Sequence, residues 1–170
     1  MSMSDRKLTT LCYLTDKDNV LFIVKGRTSK NISNMNVGKY LGVGGHVEEH
    51  EAPYECAVRE IKEETGIDAS DISGLALRGV ATFLSRTGDR TLEEIMFIDK
   101  GEYTGDKDPC PGTCDEGELC WVNVKDIYDL PIWEGDRDIF RNLFNKDGEK
   151  FFEIKLTYDK DTLVSSEILG

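Results

Sequence analysis

The chain has 170 residues, 39% of them hydrophobic and 32% charged, which suffices to bury one sizeable core and predicts a single domain over residues 1–170. Its 33 acidic and 21 basic residues leave a formal net charge of −12, which repels a nucleic-acid backbone and excludes long DNA or RNA as a partner. No apolar run is long enough to span a bilayer, and Met1 to Lys7 lacks the apolar middle of a signal peptide, so the expectation is a soluble, cytoplasmic protein, monomer or homodimer, acting on a small molecule.

Lys7 to Leu14 and Val20 to Lys25 are β-rich and flank the turn residues Thr15 to Asn19, which predicts a hairpin. Gly26 to Asn36 is polar and aperiodic, a loop able to reach over a ligand. Lys25, Arg27, Lys30 and Lys39 in and around it are either phosphate contacts or solvated surface lysines and arginine. Pro53 suits the first turn of a helix and Gly66 the residue just past its end, so a helix is expected from about Pro53 to Thr65. At 100° per residue Tyr54, Ala57, Val58, Ile61 and Thr65 fall in one arc, the expected core face, and Glu60, Glu63 and Glu64 in another.

Leu75 to Ser85 and Thr91 to Lys100 read as strands separated by the turn Arg86 to Arg90. After a Gly-, Pro-, Asp- and Cys-rich loop over 101–117 come a short strand, Leu119 to Val124, and a short helix that starts at Val124 and stops before Pro131. Asp136 to Phe144 carries Ile139, Phe140, Leu143 and Phe144 at helical spacing, with Asp136 placed as its N-terminal cap. Phe151 to Tyr158 and Thr162 to Ile168 alternate around a turn and predict a closing hairpin. Strands interleaved with helices in this way predict a helix-flanked mixed sheet.

Five cysteines without a secretory signal point to reduced thiols. Only Cys110 and Cys114 look paired. With no second Cys or His pair nearby to complete a zinc site, they read as loop cysteines, a redox or adventitious metal role being the alternative.

The densest chemistry lies in GGHVEEHEAPYECAVREIKEETGI, Gly44 to Ile67. Three glutamates at i, i+3 and i+4 repel one another, so either the face is simply solvated or a ligand offsets the repulsion. The diglycine Gly44-Gly45 favours the second reading, because backbone without a Cβ approaches a ligand closely and offers a carbonyl as a hard oxygen donor. Glu51 is spaced to reach Arg59 and pin this loop to the helix. Hard oxygen donors suit magnesium better than zinc or copper, and an acidic cleft that handles phosphates needs divalent cations to reverse its local field. His46 and His50 form no HExxH arrangement. His50 reads as surface and His46, one residue past the glycines, as a candidate phosphate contact.

Gly45, Glu51, Arg59, Glu60, Ile61, Glu63, Glu64, Gly66 and Ile67 match every fixed position of the Nudix signature, G-x5-E-x7-R-E-U-x-E-E-x-G-U, and the order of elements around it resembles the Nudix α/β/α sandwich with a mixed β-sheet. The resemblance implies a pyrophosphohydrolase using Mg²⁺, with Mn²⁺ as a substitute. It further implies metal ligation by Glu60, Glu64 and the Gly44 carbonyl, with Glu63 as a further ligand or base and Arg59 with Glu51 holding the loop. MutT-like members carry a metal-binding Glu ahead of a Trp-containing strand, which selects Glu116 in CDEGELCWV, with Glu118 as fallback. The general base stays open among Glu63, Glu60 and Glu116. Leu130 to Asp136 resembles the base-binding segment of MutT-like enzymes that hydrolyse oxidised purine nucleoside triphosphates such as 8-oxo-dGTP, which would place Trp133 and Asp136 at the base. The plain alternatives are a core Trp and a capping Asp. Where animal members carry an Asn before the glycine-rich turn this chain has Leu41, which cannot bond a purine edge. Phe22, Tyr40, Phe83 and Phe97 are candidates for an apolar base slot or for core. The resulting expectation is hydrolysis of a nucleoside triphosphate for nucleotide-pool sanitisation, a step in DNA repair. ADP-ribose or dinucleoside polyphosphate hydrolysis, and a non-catalytic nucleotide sensor, are the alternatives.

Overall fold

A computed structural model describes residues 6–26, 35–107, 116–145 and 150–170, together with the backbone of Thr113–Cys114. The questions raised for Arg27, Lys30, Cys110 and the Cys114 side chain lie outside the described residues.

The strands are β1 (Arg6–Asp16), β2 (Asn19–Lys25), β3 (Tyr40–Leu41), β4 (Ile72–Thr87), β5 (Arg90–Tyr103), β6 (Thr113–Cys114), β7 (Gly117–Asn123), β8 (Phe152–Asp159) and β9 (Thr162–Ile168). The helices are α1 (Pro53–Thr65) and α2 (Asp136–Leu143). The sheet runs β6-β7-β2-β1-β5-β4-β8-β9, with β3 on β2. It is mixed: β1 with β5 and β4 with β8 are parallel, the remaining pairs antiparallel.

Alternation along the central strands makes two cores from one sheet. Cys12 and Leu14 of β1, with Leu21 and Ile23 of β2, face α1 and pack on Ala57 and Ile61. Tyr13, Val20 and Phe22, their neighbours in sequence, face α2 and pack with Ile139, Phe140 and Leu143. The helix-on-sheet-on-helix sandwich expected from the sequence is the architecture observed.

The ends of α1 fall where the sequence places them. Pro53 occupies the first turn, the Glu55 carboxylate accepts from the Ala52 N–H at 2.8 Å, and Gly66 sits in the left-handed region at φ 75° while its N–H donates to the Lys62 carbonyl. Its expected core face needs correction. Tyr54 is exposed and Val58 only half-buried, while Cys56 and Glu64 are buried beside Ala57 and Ile61. The helix is turned so that Glu64 points inward, because a backbone N–H and a lysine await it there.

A second correction concerns Asp136. The residue at the cap position of α2 is Gly135, and Asp136 is the first helical residue, with no capping hydrogen bond and its side chain buried. The hairpins all form, and β4 and β5 run on to leave only Gly88 and Asp89 between Thr87 and Arg90. The first hairpin pairs only near its turn, at Thr15 with Val20 and Asp16 with Asn19. Below that point the edge of β1 is taken by residues 43–47, through Cys12 N–H to Val43 O at 2.6 Å, Thr10 N–H to Gly45 O at 2.9 Å and Val47 N–H to Leu8 O at 2.9 Å. This splice sets the diglycine turn against the sheet and under α1.

Candidate active site

Gly44 and Gly45 are needed by the packing at that splice. A Cβ on Gly44 would lie 1.9 Å from the Thr10 carbonyl oxygen, and one on Gly45 would lie 2.3 Å from Glu60 Oε1. Glu64 Oε2 accepts the Gly44 N–H at 3.0 Å, so helix and turn are joined directly. Arg59 ties the same two elements from outside. Its Nε and Nη2 bond the two Glu51 oxygens at 2.7 and 2.9 Å, its Nη2 donates to the His46 carbonyl at 3.1 Å, and its Nη1 reaches Glu60 at 2.7 Å and Glu63 at 3.4 Å. The Arg59 guanidinium holds the Glu51 carboxyl down at about 2, and in return Glu51 and Glu60 push the arginine up. Beneath the turn, the buried Cys56 thiol lies 3.4 Å from the His46 carbonyl and 3.3 Å from the Thr10 hydroxyl.

Glu64 is the most perturbed carboxylate of the group. Burial pushes it up to about 8; the charges of Glu116 and Glu60 add, while Lys25 and the Gly44 N–H oppose. Lys25 Nζ lies 3.8 Å from Glu64 Oε1 and pairs with Glu116. Glu64 Oε1 is nonetheless buried without a hydrogen-bond partner. A buried carboxylate oxygen with no hydrogen bond, and with Lys25 no closer than 3.8 Å, is costly unless a cation coordinates it directly, and beside it stands a turn with no room for a Cβ. This donor set of carboxylates and a glycine carbonyl fits a hard divalent ion. In the arrangement described, Arg59 and Lys25 compensate the carboxylates, and among the described residues no three acidic, His or Cys groups converge as an ion-binding cluster. Glu63 stands furthest out, its side chain 59% exposed against 14% for Glu60.

A cleft of about 750 Å³ begins at this turn. Lys25, Gly44, Gly45, His46, Glu60 and Glu116 line one end, and Phe83, Trp133, Asp136 and Tyr158 the other. Nine of these ten residues, all but Tyr158, were singled out from sequence, and segments more than a hundred positions apart thus share one cavity. Trp133 meets Phe83 and Tyr158 edge-on, with centroids 6.5 and 5.4 Å apart, and donates its indole N–H to Asn36 Oδ1 at 2.7 Å. Lys39 does not line the cleft itself. Its ammonium lies 4.7 Å from the centre of the Trp133 ring, a cation–π contact. Asp136 Oδ2 is buried and unpartnered, and burial lifts this carboxyl to about 7 against the opposing Trp133 backbone bond and the Lys39 charge.

Of the aromatic residues proposed for a base slot only Phe83 lines the cleft, since Phe22 is fully buried and meets Tyr40 edge-on. His50 is exposed, and Glu118 is an exposed residue of β7. Sequence reasoning missed Asn36, Tyr158 and Glu94 as cleft residues. Glu94 did leave a trace: it stands at an inward position of an alternating strand, between Leu92 and Met96.

A turn of paired glycines locked to a glutamate helix by one arginine, on this two-faced sheet, defines a Nudix pyrophosphohydrolase. The NUDIX domain pattern matches residues 5–143, and the chain belongs to that family, whose members generally use divalent cations on small nucleotide substrates. The uncharacterized Nudix hydrolase YvcI of Bacillus subtilis (strain 168) is 34% identical over 132 residues, 76% of this chain and 74% of that protein. Among solved structures, the mutator MutT protein of Bacillus halodurans superposes with a TM-score of 0.78 at 24% identity, covering 95% of this chain and 97% of its own. The MutT protein of Methanosarcina mazei Go1 follows this fold at TM-score 0.66, 20% identity and coverage of 86% and 99%. At these identities the two structures speak for the fold. Among the described residues no helix is long and apolar enough to cross a membrane.

Proposed function

We propose that the chain hydrolyses a nucleoside triphosphate to the monophosphate and pyrophosphate with Mg²⁺, and that its substrates are oxidised purine nucleotides of the 8-oxo-dGTP kind, a nucleotide-pool sanitising activity. The observation that carries this reading is the continuity of the cleft from the diglycine turn and Glu60 to Trp133, Asp136 and Tyr158. A phosphate chain at the first end leaves a flat, polar-edged ring at the second, where an aromatic cage and a buried acceptor meet it. Divalent ions supply charge neutralisation at phosphorus and an activated water. Glu60, Glu64 and the Gly44 carbonyl would hold them, with Glu116 as a further ligand. Arg59 fixes Glu51, Glu60 and the His46 carbonyl relative to one another, so that the turn and the helix present one geometry. Lys25, Lys39, Gly45 and His46 serve the phosphates and the approach to the base. Glu63, exposed and bonded to Arg59, is the group best able to move a proton to and from solvent.

Asp136 supports a donor-rich base edge. With burial lifting it to about 7, Asp136 can donate as well as accept near neutrality, which suits a purine whose edge has been altered by oxidation. Leu41 lines the cleft and its side chain offers no hydrogen bond to a base edge.

The test is incubation with Mg²⁺ and a panel of ordinary and oxidised nucleoside triphosphates, ADP-ribose and dinucleoside polyphosphates, with products identified by mass. Monophosphate and pyrophosphate from an oxidised purine triphosphate, lost at least about a hundredfold in Glu64→Gln, is the expected result. Cleavage confined to ADP-ribose or dinucleoside polyphosphates, or of no compound at all, refutes it.

A further inference from the structure

Glu94 is an acidic side chain that lines the cleft from outside the glutamate helix. It belongs to β5, where it stands opposite Phe83 of β4, a member of the aromatic end through its contact with Trp133. On its other side Thr9 of β1 donates its hydroxyl to Glu94 Oε1 at 2.8 Å, and Thr9 bridges to His46 at the phosphate end. Leu92 and Met96, its neighbours on the same strand face, line the cleft as apolar floor. A half-buried carboxylate flanked by Phe83 and Met96 loses part of its hydration; its register partner on β1, Lys7, is exposed, and Thr9 supplies one donor to a group with about four acceptor positions. The remaining positions can be met by a ligand lying over the floor. Acceptor-only chemistry excludes a phosphate there and requires hydroxyl or N–H donors.

In a nucleotide the piece between phosphate and base is the sugar. Resting on the reading of the chain as a nucleotide hydrolase, we infer that Glu94, oriented by Thr9, accepts hydrogen bonds from the sugar hydroxyls of the bound nucleotide and makes the enzyme selective for substrates that carry them. The position is independent of the base: Asp136 reads the ring at the aromatic end, and Glu94 reads what joins the ring to the phosphates. Asp136 and Glu94 therefore meet the ligand at two separate points along its length. A polyphosphate without a sugar satisfies neither.

The experiment compares kcat/KM for the ribo, 2′-deoxy and 2′,3′-dideoxy triphosphates of one base in wild type, Glu94→Ala, Glu94→Gln and Thr9→Val. The wild type should prefer the hydroxyl-bearing forms over the dideoxy form by at least about tenfold, the range of one bond to a charged acceptor. In Glu94→Ala that ratio should fall below about threefold while dideoxy turnover stays within about threefold of wild type, since only the lost bond distinguishes the substrates. Glu94→Gln, which keeps the shape and one acceptor, and Thr9→Val, which leaves the carboxylate unoriented, should give intermediate ratios. If Glu94→Ala does not fold, Glu94→Gln decides, and an unchanged ratio in it overturns the inference. Equal loss on all three substrates would assign Glu94 to the reacting end and overturn it as well. Equal wild-type rates on all three defeat this inference alone, whereas absence of any nucleotide hydrolysis defeats it together with the proposed function.

Discussion

Gly44 and Gly45 are adjacent and both lack space for a side chain, yet replacing each by alanine should fail in a different way. At Gly44 the new methyl would overlap the Thr10 carbonyl oxygen at 1.9 Å and its carbon at 2.7 Å, both backbone atoms in a strand that cannot yield alone. The splice must open, giving up bonds such as Thr10 N–H to Gly45 O and Cys12 N–H to Val43 O. Two backbone hydrogen bonds at about 1 kcal/mol each and overpacking of about 1–3 kcal/mol give a loss of about 3–5 kcal/mol. For a chain of this size that lowers Tm by about 6–20 °C. At Gly45 the methyl would meet Glu60 Oε1 at 2.3 Å, the free end of a side chain that can swing aside. The stability cost is then chiefly the partly exposed Arg59–Glu60 pair, under about 1 kcal/mol. The carboxylate, however, would leave its position by an ångström or more, and activity should fall at least about a hundredfold. Thermal melts by circular dichroism and pyrophosphate release measured side by side check the contrast. A Gly45→Ala protein that melts as early as Gly44→Ala, or one that melts normally and turns over normally, would refute the reasoning.

Lys25 stands beside Glu64 and Glu116 as a cation already in place, so Lys25→Met should bind Mn²⁺ at least about threefold more tightly in an electron-spin-resonance titration, whatever happens to turnover; unchanged or weaker binding would show that the lysine does not compete with the ion. Asp136→Asn should alter how stability varies with pH. The folded protein keeps the Asp136 proton up to about pH 7 while the unfolded chain releases it near 3.8, so unfolding sheds a proton between those values and wild type loses stability as pH rises through them. The asparagine variant should escape that loss, gaining a few kcal/mol relative to wild type between pH 4 and pH 8 in urea melts; parallel stability curves would place the carboxylate in contact with water.

The elements most legible in the sequence are those whose ends are set by local chemistry. Pro53 and Gly66 bound α1 because one lacks a donor that the first turn does not use and the other accepts a left-handed backbone. Which face of α1 turns inward was less legible. A 100° projection groups residues by angle but does not know that the sheet offers a backbone N–H to a glutamate, and so it sets Tyr54 inside and Glu64 outside. Asp136 misled for a related reason: an acidic residue before an apolar helical run reads as a cap, but Gly135 is packed against Leu156 and the Tyr158 hydroxyl, which moves the helix start by one residue and sinks the aspartate. The pairing of Arg59 with Glu51 is sequence-local and was visible. The pairings of Lys25 with Glu116 and Thr9 with Glu94 span 91 and 85 residues and depend on strand order, which no local pattern encodes.

Thr9 and Thr10 show how the sheet divides the work. Successive residues on a strand face opposite ways, so Thr10 meets Cys56 of α1 under the diglycine turn while Thr9 meets Glu94 on the cleft floor. The α1 face therefore fixes where the carboxylates and the turn sit, and the other face fixes what lies against the aromatic end. A change of size or charge at Phe83, Glu94 or Tyr158 reaches the ligand without passing through α1, because the two cores share only the backbone of the sheet. Substrate choice can then drift on one face while the reaction is held constant on the other, and the discriminating residues are to be sought at inward positions of β4, β5 and β8 rather than in the glutamate helix.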